Sequence, residues 1–354
     1  MSAVLGNYLR RRVIGQIIGL LLALTGLMQL LELLEVTNEV LDRHLGFIGV
    51  LHYAVLRIPS QLQFLLPLAG LLGSMAAFYA MARAREITAL RSAGVGLWRL
   101  LVYLLPVPIL FAAVHFALAQ QLVPRAEGAL KSWWDSTVPL EDRTPNPQWV
   151  RTSGGILLFE RSSADGERLQ DVRIYSRSTD GLLTLTTRAE EAHREGNSWR
   201  LSGARDLQTT PGDRSPGPAG RDWISNLKPD DVAQADSLDP HLSTVALADV
   251  IGGERVSTRP RSYYQTVLLQ SYVAPFTVFI MMLLAMPAAI FSERGGGGGR
   301  MLLALFFGLG FLLVDGIFSS FGTSGRISPQ LAATAAPAAF ALLGLLQLRS
   351  CERA

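Results

Sequence analysis

The chain has 354 residues, 49% of them hydrophobic and 17% charged, which is too apolar for an ordinary soluble protein of this length and places part of it in lipid. Its net charge of +3 is carried almost wholly by arginine, with Lys131 and Lys228 the only lysines, and no clustered basic surface argues for nucleic acid as a partner. The sole cysteine, Cys351, lies in a polar tail, which excludes disulfides within the chain and cysteine-based zinc sites.

In chain order, Arg10-Arg11-Arg12 stands before an apolar run as a secretory n-region stands before its h-region. The run from Val13 to Leu34 is about twice an h-region in length and no small-x-small cleavage site follows it, so it reads as a retained membrane helix. Crossing the hydrocarbon core takes about 20 apolar residues. Six segments qualify: 13–34, 58–82, 99–122, 264–290, 301–320 and 331–348. Glu32 and Asp315 are the acids inside them, and Pro106, Pro108, Pro275 and Pro287 predict kinks. Arginines crowd one set of span ends (Arg10 to Arg12, Arg83, Arg85, Arg91, Arg99, Arg294, Arg300, Arg349 and Arg353), while the opposite set has Arg43, Arg57 and Arg326. By the positive-inside bias both termini, the loop 83–98 and the glycine-rich turn 292–300 are cytoplasmic, and the large segment 123–260 is outside.

That segment has strand chemistry in short runs, at 149–151, 155–159, 172–175, 182–186 and 199–201, separated by turn signals such as Asp165-Gly166 and Asp180-Gly181. It reads as an all-β sandwich or jelly roll. Two sheets left open along one edge would form an apolar slot for acyl chains, although the pattern alone favours a closed core. Pro211 to Gly220 reads as a flexible loop.

The loop after the second span, Arg85 to Val95, predicts a short amphipathic helix. Ile87, Leu90 and Arg91 share one side, Arg83 and Glu86 flank it, and Gly94 stands as its stop. This loop resembles the cytoplasmic loop of the LptF/LptG permeases of lipopolysaccharide export. The resemblance extends along the chain: loosely at Asn7 to Arg10, then at Pro59 with Leu66 to Gly73, at Asn226 to Asp230, at Leu238-Asp239-Pro240, and at Pro275 with Met281 to Pro287. Leu238-Asp239-Pro240 leading to Leu242-Ser243, and Val314 to Phe318, look more like the LptG branch than the LptF branch.

The resemblance implies an α-helical protein of the Gram-negative inner membrane with six transmembrane helices and an all-β periplasmic jelly roll inserted between helices 3 and 4. Its expected parts are residues 1–122 with a coupling helix at about 83–96, the β domain 123–260, and residues 261–354. It implies a non-catalytic permease subunit that forms, with an LptF-type partner, a cavity for lipopolysaccharide. A separate LptB dimer binds ATP and magnesium, and LptC and the bridge protein LptA receive the lipid. Glu86, with Arg83, Leu90, Arg91 and Gly94, is the expected ATPase-coupling set, Glu86 pairing with a basic groove of LptB. Ile156, Leu158 and Ile174 are expected to face acyl chains. Leu30 and Leu31 of the first helix, with Gly308 and Phe311 of the fifth, are the expected lateral gate; Gly15, Gly19, Gly26, Gly310 and Gly316 add close-packing positions on the same helices. Lysines expected near the outer end of the first helix are replaced by Gln29, Glu32, Glu35 and Val36, which leaves Arg43 and Arg57 as candidates for lipid phosphate or as interfacial anchors.

Enzymatic motifs are missing. No GxxxxGK[ST] occurs, Gly295 to Gly299 has no strand before it and reads as a turn, and the five histidines include no HExxH. A secondary transporter would show more midplane charge and a repeat relating its halves. A membrane-anchored assembly protein working through its β domain is the other reading to be separated from a transporter subunit.

Overall fold

The computed structural model describes residues 2–138, 147–152, 155–163, 165–177, 183–196, 198–208, 221–225, 227–229, 231–232, 242–253, 255–290 and 297–353. The chain divides into two compact units, Met1–Val123 with Gln265–Ala354, and Pro124–Tyr264.

The first unit contains most of the six helices long and apolar enough to cross a membrane. Helix α1 (Ser2–Asp42) runs on through the polar residues after Leu34 without a break. It packs along α2 (Gly46–Arg83), which also meets the second half of the fourth span. The small residues of Leu66 to Gly73 explain this central position. A Cβ at Gly73 would lie 2.6 Å from the Ile17 Cα, and one at Gly70 would lie 3.0 Å from the Val278 side chain, so a bare backbone lets a neighbour approach on each side.

After the short α3 (Glu86–Ser92) the third span is broken into α4 (Leu97–Leu104) and α5 (Pro106–Ala117), a π turn at Leu118–Leu122, and α6 (Val123–Ser136). Pro106 lacks the N–H that would continue α4, so carbonyls near the break need other partners. Arg10 supplies one, its Nε donating to the Tyr103 carbonyl at 2.7 Å. Pro275 likewise sits in a 3-10 turn, Ala274–Phe276, between α8 (Arg261–Val273) and α9 (Thr277–Ile290). Helices α10 (Gly297–Thr323) and α11 (Pro329–Arg353) complete the unit. Gly297 to Gly299 form the first turn of α10, so the helix takes in the last part of the expected turn 292–300. Residues 291–296 lie outside the described residues.

The second unit is built on one antiparallel sheet of β1 (Gln148–Thr152), β2 (Gly155–Phe159), β3 (Arg161–Ser162), β4 (Arg168–Arg177), β5 (Leu183–Glu195), β6 (Ser198–Ser202), β7 (Arg205–Gln208) and β8 (Arg221–Ile224). The order is β1-β2-β4-β5-β6-β8, with β3 and β7 as second partners of β4 and β5. This is a meander of successive strands, and a two-sheet jelly roll is a finer statement than these pairings make. Its core gathers Leu157, Phe159, Val172, Ile174 and Leu201 around the fully buried Trp199. The Trp199 indole N–H donates to the Leu227 carbonyl at 3.2 Å, and the buried Leu227 side chain belongs to the same core. Helix α7 (Thr244–Gly252) is capped by the Ser243 hydroxyl and ended by Gly253 at φ 84°. The segment Pro211 to Gly220 lies outside the described residues.

Candidate functional site

Helix α3 is preceded by Arg85, whose φ of 56° places a non-glycine residue in the left-handed region, and is followed by Gly94 at φ 81°. Ile87 is buried and Leu90 packs against the same core, while Arg83, Arg85, Arg91 and Gly94 are exposed. The outward charge of this helix is therefore basic. Glu86, expected to pair with a basic groove, has basic and hydroxyl partners within the chain. Its Oε1 accepts from the Arg12 guanidinium and from the Tyr8 hydroxyl (3.1 Å), both on α1. Arg12 Nη1 also donates to the Tyr8 oxygen at 2.6 Å. The arrangement has a physical cause: Tyr8 and Arg12 are four residues apart and share one face of α1, and Ile87 buries the side of α3 next to them. With Arg10 on the α4 carbonyl, the base of α1 is tied to both α3 and α4.

At the far end of α1, Glu32 is clamped to α2. It accepts from Arg57, from the Tyr53 hydroxyl at 2.9 Å and from Gln61 Nε2 at 2.5 Å. Arg43 pairs with Glu39 at 2.7 Å, four residues away on the same helix. Arg57 and Arg43, the candidates for lipid phosphate, are thus already engaged by carboxylates of this chain. On the same face of α1 as Glu32, Gln29 and Thr25 have buried polar side-chain atoms without a hydrogen-bond partner among the described residues.

The expected gate positions divide. Leu30 and Leu31 are exposed, at 64% and 56%, on a face of α1 that no other described residue covers. Gly308 and Phe311 turn the other way. A Cβ at Gly308 would stand 2.1 Å from a Leu71 methyl, and Phe311 is fully buried with its ring edge-on to Phe340 at 5.4 Å. These two residues pack the chain internally, and the bare face of α10 is made by Phe306, Leu309, Leu313 and Ile317. At Gly15, Gly19, Gly26, Gly310 and Gly316 an added Cβ would meet nothing within 4 Å, so their surfaces are open.

In the β unit the register Leu157↔Ile174 sets the faces. Ile174 points into the core with Leu157 and Phe159, whereas Ile156 and Leu158 lie on the opposite face because successive strand residues alternate. The inward set expected from sequence therefore mixes two faces. Among the described residues no group of three or more His, Cys, Asp or Glu could hold a metal ion.

Sequence reasoning missed Tyr8, Arg12, Tyr53 and Gln61. One signal was present for the last two: an acid inside a span demands partners, and those partners lie on the adjacent span.

The family model described as lipopolysaccharide export system permease LptF/LptG matches residues 7–350. A curated relative from Escherichia coli (strain K12), the lipopolysaccharide export system permease protein LptG, is 23% identical over 350 residues and 97% of each chain. The protein of the same name from Haemophilus influenzae is 21% identical over 297 residues, 81% of each chain.

Proposed function

The chain belongs to the LptF/LptG family of lipopolysaccharide export system permeases, and on that premise we propose that it is the LptG-type subunit of the transporter, paired with an LptF-type permease. It is a multi-pass protein of the inner membrane. In this reading both termini are cytoplasmic and the β unit is a periplasmic jelly roll that takes acyl chains and passes them, by way of LptC, to LptA. ATP and its magnesium belong to a separate LptB dimer, which α3 meets as the coupling helix.

The observation that carries the mechanism is the Glu86 link from α3 to Arg12 and Tyr8 of α1. Helix α1 has 41 residues, roughly 60 Å of rod at 1.5 Å per residue, and no proline interrupts it. Movement of α3 on nucleotide closure is delivered through the Glu86 carboxylate to the base of this rod. It emerges at the far end, where Leu30 and Leu31 are uncovered. The exposed Arg83, Arg85 and Arg91 meet LptB, while Glu86 relays. The outer end of α1 and the bare face of α10 each meet the partner permease, and lipopolysaccharide enters sideways where these helices part.

The β unit hands its cargo on by strand addition at an open edge. Strand β1 is closed at Arg151 by a bridge to Ser257, whereas β8 has no partner beyond β6 among the described residues, which favours β8 as the receiving edge.

The test is a disulfide between cysteine at Leu31 and the fifth helix of the LptF-type partner, and separately between cysteine at Leu313 and the partner's first helix. Each should block export while leaving the complex assembled with LptB. Export at the normal rate from the fully crosslinked complex excludes this entrance.

A further inference from the structure

A cavity of about 610 Å³ lies wholly within the β unit, inside the range of roughly 300–1,000 Å³ typical of small-ligand sites. Its floor is β1, one wall is the end of α7, and the other is the strap 255–261 with the first turn of α8. The strap is fixed in place. Arg151 and Ser257 exchange backbone hydrogen bonds of 2.8 and 3.3 Å, and the Thr258 N–H donates to the Tyr264 hydroxyl at 3.1 Å.

Four arginines line this cavity, Arg151, Arg255, Arg259 and Arg261, and no acidic residue does among the described lining residues. They are not equivalent. Arg255 is held by the buried Asp231, with Nη2 to Oδ1 at 2.7 Å, and Arg259 stacks on the Tyr263 ring at 4.6 Å. Arg151 and Arg261 are exposed and no carboxylate pairs with either among the described residues. Beside them Trp149, Ile156, Val250 and Ile251 supply an apolar wall, and the Trp149 ring is braced by stacking on Tyr175 at 5.6 Å.

We propose that this cavity binds the phosphate group of an anionic amphiphile, with Arg151 and Arg261 on the phosphate and the apolar wall against the adjoining hydrocarbon. A carboxylate brings two oxygens and one charge. A phosphate monoester brings three acceptor oxygens and a charge of about −1.5 to −2, which matches two guanidiniums and the Ser257 hydroxyl that shares the cavity. Position in the chain points the same way. Arg261 and Tyr264 belong to the first turn of the helix that becomes the fourth span, Arg261–Met286, and the end of a span is where aromatic rings and headgroups meet.

The site stands on the geometry of the β unit and does not rest on the transport reading. The test uses the purified full-length chain in detergent, titrated with bisphosphorylated lipid A, the same lipid stripped of phosphate, dioleoylphosphatidic acid and dioleoylglycerol, with binding read by native mass spectrometry. Phosphate-bearing lipids should bind about tenfold or more tightly than their stripped counterparts, and the Arg151→Gln/Arg261→Gln chain should lose that difference. Inorganic phosphate should compete. Preference for lipid A identifies the source as a glycolipid, and equal or tighter binding of phosphatidic acid identifies it as a membrane phospholipid; either supports the site. Arg151→Lys/Arg261→Lys should retain most of the binding, which guards against a loss caused by misfolding. Unchanged binding by the glutamine chain, or equal binding of stripped lipids, overturns the proposal. Because no step reads ATP or export, failure here leaves the permease reading intact, and failure of that reading leaves this result standing.

Discussion

Glu86 shows how far the identity of one residue and its contacts can diverge. An acid on a loop helix invites the idea of a basic partner in another protein, and the structure supplies that partner from within, 74 residues earlier in the chain. Neither side chain is fully exposed, at 28% for Arg12 and 27% for Glu86, so the pair keeps part of its strength in water, on the order of 1 kcal/mol. Glu86→Lys should place two cations together and reduce coupled export about fivefold, the equivalent of ~1 kcal/mol. Arg12→Glu should do the same. The charge-swapped chain with both changes should recover export in a vesicle assay if the carboxylate works toward α1. If Glu86 works only toward LptB, the double change will remain as defective as Glu86→Lys. The Arg12 partnership could not be read from sequence, because nothing local ties a residue in the first turns of α1 to one in α3.

At the scale of elements, the existence of the helices was legible and their rotation was not. Runs of about 20 apolar residues give the spans directly, but α10 is apolar on every side from Met301 to Val314, so no stripe there marks which side meets the rest of the chain. Gly308 and Phe311, one turn apart, were expected at a gate, and within the single chain they pack α10 onto Leu71 and Phe340. The β unit repeats the lesson. Ile156 to Phe159 is continuously apolar, alternation is silent there, and only the pairing of Leu157 with Ile174 reveals the inner face. Glycines resolve part of the ambiguity because they report what lies against them. Gly73→Ala should push α1 off α2 and lower stability in detergent by ~1–3 kcal/mol, since the atom it meets is the backbone of Ile17. Gly15→Ala, with open space around it, should change the stability of the isolated chain by less than about 0.5 kcal/mol. Thermal unfolding of the two variants side by side checks the contrast, and equal losses would mean that α1 does not cross α2 at Ile17.

For the whole molecule, order along the chain was enough to give a membrane protein with a β region in its middle. The site was less legible because its parts come together only in space. Glu32 meets Arg57 across two spans, and Arg151 meets the strap 255–261 from opposite ends of the β unit. The uncovered faces of α1 and α10 have a further consequence for the economy of the cell. Leucines and phenylalanines such as Leu34, Leu313 and Phe306 stay bare in the single chain, and open glycines leave the backbone behind them accessible to any passing helix. A chain made in excess of its partner is then a substrate for membrane quality control. Its half-life, followed by pulse-chase, should shorten several-fold when the partner permease is depleted and return when the partner is restored. The amount of this protein in the membrane would then be set by degradation down to the level of its partner, whatever the rate of its own synthesis.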